Sequence, residues 1–108
     1  MTGINILGTG RYLPERIVAN EEFTAFIETS DEWISTRTGI SKRHIADGET
    51  TWRMGASAAQ AALKKAGVKA EEIDLIIGTT VSADCLTPSM ACIIQKAIGA
   101  ENASCFDL

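Results

Sequence analysis

The stretch Ile73-Asp74-Leu75-Ile76-Ile77-Gly78-Thr79-Thr80-Val81 decides the fold. Its nearly continuous apolar run suits a strand buried on both faces, as in a parallel sheet with helices above and below. The segment just before it carries the most regular helical pattern of the chain. That helix is predicted to begin at Thr50 or Thr51 and to end at Gly67, with Lys64 and Lys65 in its last turn, where the helix dipole favours cations. Its small residues, Gly55 and five alanines from Ala56 to Ala62, cover nearly every face and predict a well-buried helix. After the strand, Thr87-Pro88 reads as an N-cap followed by an N1 proline, opening a helix to about residue 97 with Gly99 as its stop. Residues 103–108 return as a strand. Strand, helix and strand in that order give an α/β layered class, a sheet with helices on both faces.

Toward the start, Ile4-Asn5-Ile6-Leu7-Gly8-Thr9-Gly10 predicts another strand that yields to glycines. Gly8-Thr9-Gly10 resembles the opening of a dinucleotide fingerprint, but Leu13 stands where the third glycine belongs and no helical pattern follows directly. The glycines are therefore read as letting a strand pass close to neighbouring backbone. Asn20 is a predicted N-cap for a short helix over 21–27. Ser30 or Asp31 is predicted to cap a second one through Trp33 to about residue 37, ended by Gly39. Three strands leave such a sheet unfinished, with an apolar edge, so the 108 residues are expected to be one truncated part of a longer protein.

Composition narrows the function classes. Apolar residues make up 45% and charged residues 22%, which argues for a globular chain against a disordered one. A formal charge of −4 excludes a generally basic nucleic-acid binder. There is no apolar stretch of membrane-spanning length and no signal-peptide pattern at the start, so a cytoplasmic protein is expected. Cys85, Cys92 and Cys105 are odd in number and have no metal-ligand spacing; with His44 as the single histidine, neither a disulfide framework nor a metal site is expected.

Trp33 and Arg37 are four residues apart and share one face of a helix. A Trp ring is a stacking platform for a heteroaromatic base, and a guanidinium grips phosphate with a planar fork of donors. From Ser35 to Ile45 the chain has Arg37, Lys42 and Arg43 and no acid, a basic patch suited to a polyanionic ligand or an acidic partner. The alternative reading makes Trp33 a core residue and leaves the cations solvated or paired with Asp31 and Glu32. The cysteines read as small apolar residues or incidental thiols, since none has a base in view and Asp84 beside Cys85 opposes a thiolate. His44 is assigned no role as a base.

The blocks Gly8-Thr9-Gly10, Tyr12-Leu13-Pro14, Asn20, Thr29 to Ile40 and Arg43-His44-Ile45-Ala46 resemble β-ketoacyl-acyl carrier protein synthase III, of the thiolase-like superfamily. So do Pro88-Ser89, Ala91-Cys92, Ile94-Gln95 and Phe106-Asp107-Leu108. The resemblance implies that residues 1–108 are the N-terminal part of a thiolase-like condensing-enzyme domain. Such enzymes load an acyl group from acyl-coenzyme A onto a cysteine and condense it with malonyl-acyl carrier protein, releasing carbon dioxide. Trp33 would stack on the coenzyme A adenine, with Thr29 and Arg37 holding the nucleotide end. Thr87, just before Pro88, would lie near the dimer interface and the partner's acyl pocket; where some members carry an aromatic, threonine leaves room for a longer or branched primer. The Cys-His-Asn triad is expected beyond Leu108, so no catalytic residue is assigned here and the chain alone is expected to be inactive. The resemblance further implies a homodimer, with coenzyme A thioester as substrate and no separate cofactor. Two alternatives stand: a non-catalytic module binding coenzyme A or acyl carrier protein, and another thiolase-like acyltransferase.

Overall fold

The computed structural model describes residues 3–108. The chain divides into two compact units, Met1–Tyr12 with Glu49–Leu108, and Leu13–Gly48.

In the larger unit the elements are α3 (Thr51–Ala66), β3 (Leu75–Gly78), α4 (Met90–Ile98) and β4 (Ser104–Asp107). β3 and β4 pair in parallel, Leu75 opposite Ser104 through Gly78 opposite Asp107, with α4 as the crossover between them. Ser104 N donates to Asp74 O at 2.8 Å and Leu108 N to Gly78 O at 2.7 Å, extending the ladder at both ends. α3 packs on α4 through a small core of Ala56, Met90 and Ile94, with Trp52, Ala59 and Ile98 against it. Gly55 makes room for this contact: a Cβ there would stand 2.7 Å from Ile94 Cδ1. Gln95 closes the turn after α4, its amide donating to Ala100 O and Ala103 O.

Helix ends follow local chemistry at α3's C-terminus, where Gly67 takes a left-handed φ of 68°. At its N-terminus they do not. Thr50 Oγ1 is buried without a hydrogen-bond partner. The first amides of α3 donate instead to Asp84, Thr51 N to Oδ1 at 3.0 Å and Trp52 N to Oδ2 at 2.8 Å. These amides hold the Asp84 carboxyl below its usual value of 3.8, Trp52 first and then Thr51. A carboxylate with a depressed folded value adds stability that is fully present above the unfolded value and is lost as pH falls through the folded one. Acid titration of wild type from neutral pH to below 3.8 is therefore expected to lose more stability than the same titration of Asp84→Asn. Urea midpoints at each pH check this; parallel curves would dismiss the cap.

Several expectations need correction. Residues 4–10 form no strand, and Ile4 and Ile6 are almost wholly exposed. Among the described residues no strand pairs with them; the segment lies along α3, where a Cβ on Gly8 would stand 2.9 Å from Ala62 O, and one on Gly10 would collide with the backbone of Ala58 and Ala62. Close backbone approach was the correct reading of these glycines. Pro88 is not N1: α4 begins at Met90 with Ser89 as N-cap, its Oγ accepting from Cys92 N at 3.3 Å, so Thr87 is no cap either. Only Ala56 of α3 is buried. β3 is not buried on both faces in this chain: α4 covers one side, while Leu75, Ile77 and Phe106 stay roughly half exposed.

The smaller unit holds β1 (Ile17–Ala19), α1 (Asn20–Phe23), α2 (Asp31–Thr38) and β2 (Lys42–His44). β1 and β2 pair antiparallel, Ile17 with His44 through Ala19 with Lys42. α1 is a single turn, shorter than the predicted 21–27, and Asn20 is its first residue rather than its cap. The Asn20 side chain is fully buried and its hydrogen bonds reach far along the chain, which a cap's would not.

Candidate functional site

α2 forms where its local signals place it. Ser30 Oγ accepts from Trp33 N at 3.1 Å, Asp31 and Glu32 occupy the first turn, and Gly39, at φ 69°, ends the helix with its N–H on Ser35 O. The helix has no buried residue. Trp33 is 54% exposed, so the reading of it as a core residue fails.

Arg37 lies on the same face, its Cζ 4.5 Å from the Trp33 ring centroid and its Nη1 donating to Trp33 O at 3.4 Å. The guanidinium thus covers one face of the indole, a cation–π contact that holds a long side chain ready beside the ring. A cleft of about 270 Å³ opens on this unit, lined by Phe23, Ile27, Thr29, Trp33, Ile34 and Arg43. It is mostly apolar, with two buried polar atoms that have no hydrogen-bond partner, Thr29 Oγ1 and Arg43 Nη1. Unpaired buried donors of this kind are costly and mark places where a polar group would be welcome.

The basic patch is less uniform than the sequence suggests. Arg43 is half-buried, stacked 4.5 Å over the Phe23 ring and donating through Nη2 to Asn20 Oδ1 at 2.7 Å. Arg37 and Lys42 remain exposed. His44 Nδ1 contacts Pro14 O, and since a carbonyl only accepts, Nδ1 is the donor of this pair.

The structure brings Thr29, Trp33 and Arg37 together and leaves Thr87 in the other unit, in the exposed loop before α4. Sequence reasoning missed Asn20 as part of the site and had Arg43 only as a member of the basic patch, not as a wall of the cleft. The chance for Asn20 was its position just after a strand, where a buried amide tying distant segments competes with the cap reading. Cys85 is exposed in a loop, Cys92 and Cys105 are partly buried, and burial first, then Cys92, pushes the Cys105 thiol up, away from the thiolate a nucleophile needs. Among the described residues no group of three His, Cys, Asp or Glu gathers as a possible metal site. No described helix is long and apolar enough to cross a membrane.

This arrangement, with its β–α–β crossover, is similar to a segment of solved 3-oxoacyl-[acyl-carrier-protein] synthase III and priming β-ketosynthase structures. Over all 108 residues the chain is 55% identical to the β-ketoacyl-[acyl-carrier-protein] synthase III of Clostridium acetobutylicum and 48% identical to that of Clostridium novyi. It spans 33% of the length of each. Among solved structures, 98% of the chain superposes on 34% of the 3-oxoacyl-[acyl-carrier-protein] synthase III of Aquifex aeolicus, with a TM-score of 0.93 at 43% identity. A priming β-ketosynthase from a polyketide pathway matches 96% of the chain, and 31% of its own, with a TM-score of 0.91 at 44% identity. No protein-family model matches. The resemblance read from the sequence blocks is borne out over the whole chain.

Proposed function

We propose that this chain supplies the coenzyme A mouth of a cytoplasmic condensing enzyme that starts fatty-acid synthesis. The reaction joins an acyl group from acyl-coenzyme A to malonyl-acyl carrier protein, giving a 3-oxoacyl-acyl carrier protein and carbon dioxide. The observation that carries the reading is the half-exposed Trp33 ring with Arg37 laid over it, beside a cleft that holds the unpaired Thr29 hydroxyl. Trp33 stacks on the adenine, and Arg37 swings from the ring to a phosphate, exchanging a cation–π contact for a charge-assisted fork. Thr29 Oγ1 bonds the nucleotide end. The thioester is substrate, and no separate cofactor takes part. The nucleophilic cysteine, histidine and asparagine are assigned beyond Leu108, because burial pushes the Cys105 thiol up and, among the described residues, Cys85 and Cys105 donate to backbone carbonyls and not to a base. The working enzyme is a homodimer.

Calorimetric titration of the chain with coenzyme A tests this. Saturable binding that weakens as salt rises from 50 to 500 mM is expected, because an Arg–phosphate contact at the surface is screened. Absence of binding at millimolar coenzyme A would overturn it.

Similarity to a polyketide priming ketosynthase favours a second reading, priming of a polyketide by the same scaffold. Thr87 discriminates by primer size. In the intact dimeric enzyme, Thr87→Phe is expected to lower kcat/KM for branched or longer acyl primers about tenfold relative to acetyl, as lost pocket volume is worth one to a few methylenes. Equal loss for all primers would remove Thr87 from the acyl pocket.

A further inference from the structure

We infer that Asn20 is a positioning residue for the coenzyme A mouth, clamping both ends of the helix that carries Trp33 and Arg37. The inference rests on the reading of that helix as the mouth. Asn20 Nδ2 donates to Asp31 Oδ1 at 2.7 Å and to Ile40 O at 2.7 Å. Asp31 is the first residue of α2, and Ile40 follows the Gly39 that ends it. One amide therefore holds the start and the exit of the same two-turn helix. Its Oδ1 accepts from Arg43 Nη2 at 2.7 Å, and its backbone N–H donates to Ser41 O at 3.2 Å.

The orientation of the amide follows from its partners. A guanidinium only donates and a carboxylate and a carbonyl only accept, so the oxygen faces Arg43 and the nitrogen faces Asp31 and Ile40. Asparagine is the side chain of this size with two donors and one acceptor. Aspartate would set two carboxylates against each other at Asp31, and leucine would strand Arg43 and the Ile40 carbonyl in a buried place.

The clamp reaches the ligand site from the other side as well. Arg43, fixed by Asn20, lies over Phe23, and both line the cleft beside Trp33. α2 buries no residue of its own, so apolar packing alone does not hold its register against that cleft wall. The Asn20 network does, and it sets where the indole stands relative to Phe23 and Arg43.

Asp31 gives the cleaner test, because it is exposed and its loss spares the core. Asp31→Asn removes the charge but keeps an oxygen for Asn20; Asp31→Ala removes both. In calorimetric titration of the chain, Asp31→Ala and Asn20→Ala are expected to bind coenzyme A about tenfold more weakly, and Asp31→Asn within about threefold of wild type. Equal losses for Asp31→Asn and Asp31→Ala would mean the charge matters and the clamp does not. Undiminished affinity in Asp31→Ala would overturn the inference directly.

A ligand-free readout separates this from the function itself. In a Trp52→Phe background Trp33 is the sole tryptophan. Time-resolved fluorescence anisotropy is expected to show faster local motion of Trp33 in Asp31→Ala and unchanged motion in Asp31→Asn. If wild type binds no coenzyme A while this contrast holds, the mouth reading falls and the clamp stands. If coenzyme A binds and the contrast is missing, the clamp falls alone.

Discussion

Trp33→Ala is expected to weaken coenzyme A binding by roughly fivefold to more than a hundredfold, the effect of losing about 1–3 kcal/mol of base stacking. The substitution is a fair test because little else depends on the ring. Trp33 is half exposed, so no core cavity opens. The Ser30 cap uses the backbone N–H of residue 33, which alanine keeps, and alanine is the best helix former. The affinity loss includes Arg37, whose guanidinium loses the ring it rests on and the preorganisation that goes with it. Arg37→Lys is the companion variant. It keeps the charge and loses the fork, so it is expected to fall between wild type and Trp33→Ala and to retain the salt dependence. Trp52→Phe is the control, since Trp52 packs against the Ala56, Met90 and Ile94 core of the other unit. Calorimetry with far-UV circular dichroism on each variant decides it. An unchanged dissociation constant for a folded Trp33→Ala would end the stacking role.

The sequence makes visible those parts of the molecule whose determinants lie within a few residues of one another. α2 is the clearest case: Ser30, the acidic first turn and Gly39 all act within one decapeptide, and the helix falls where they put it. The C-terminus of α3 at Gly67 and the apolar runs of β3 and β4 are legible for the same reason. What the sequence hides is long-range pairing. Residues 4–10 alternate like a strand, but a strand exists only with a ladder partner, and among the described residues they have none. Asn20 looks like a cap because caps and buried network residues are drawn from the same polar types. Its partners stand 11, 20 and 23 positions away. The Trp/Arg pair was legible as chemistry by its spacing. That Arg37 rests on Trp33, and that Thr29 and Arg43 keep unpaired atoms at the cleft, needed the third dimension.

The largest stability effect is expected at Asp107, a residue whose role has no local signature. Its carboxylate spans from the end of β4 to the start of α4, accepting from Met90 N at 2.6 Å and Ala91 N at 2.8 Å. Two amides that no α-helix satisfies internally are thus closed by a charged group at the positive end of the dipole. The same bond ties the crossover helix to the strand it delivers. Asp107→Ala is expected to cost about 2–4 kcal/mol, the range for losing two charge-assisted bonds at a partly buried helix end. Asp107→Asn keeps one acceptor oxygen and is expected to lose about half of that. A third variant reaches the same contact without touching the acid. Gly78 stands opposite Asp107 in the ladder, and a Cβ there would sit 2.6 Å from Asp107 Oδ1 and 3.1 Å from Met90 Cε. Gly78→Ala therefore has to push the carboxylate off the helix, and its loss is expected to overlap that of Asp107→Ala, so that the double variant is less destabilised than the sum of the two. Urea unfolding gives all four free energies. An Asp107→Ala midpoint equal to wild type would show that Ser89, whose side chain already caps Cys92 N, holds α4 without help from β4. A fully additive double variant would instead place the cost of Gly78→Ala in its clash with Met90.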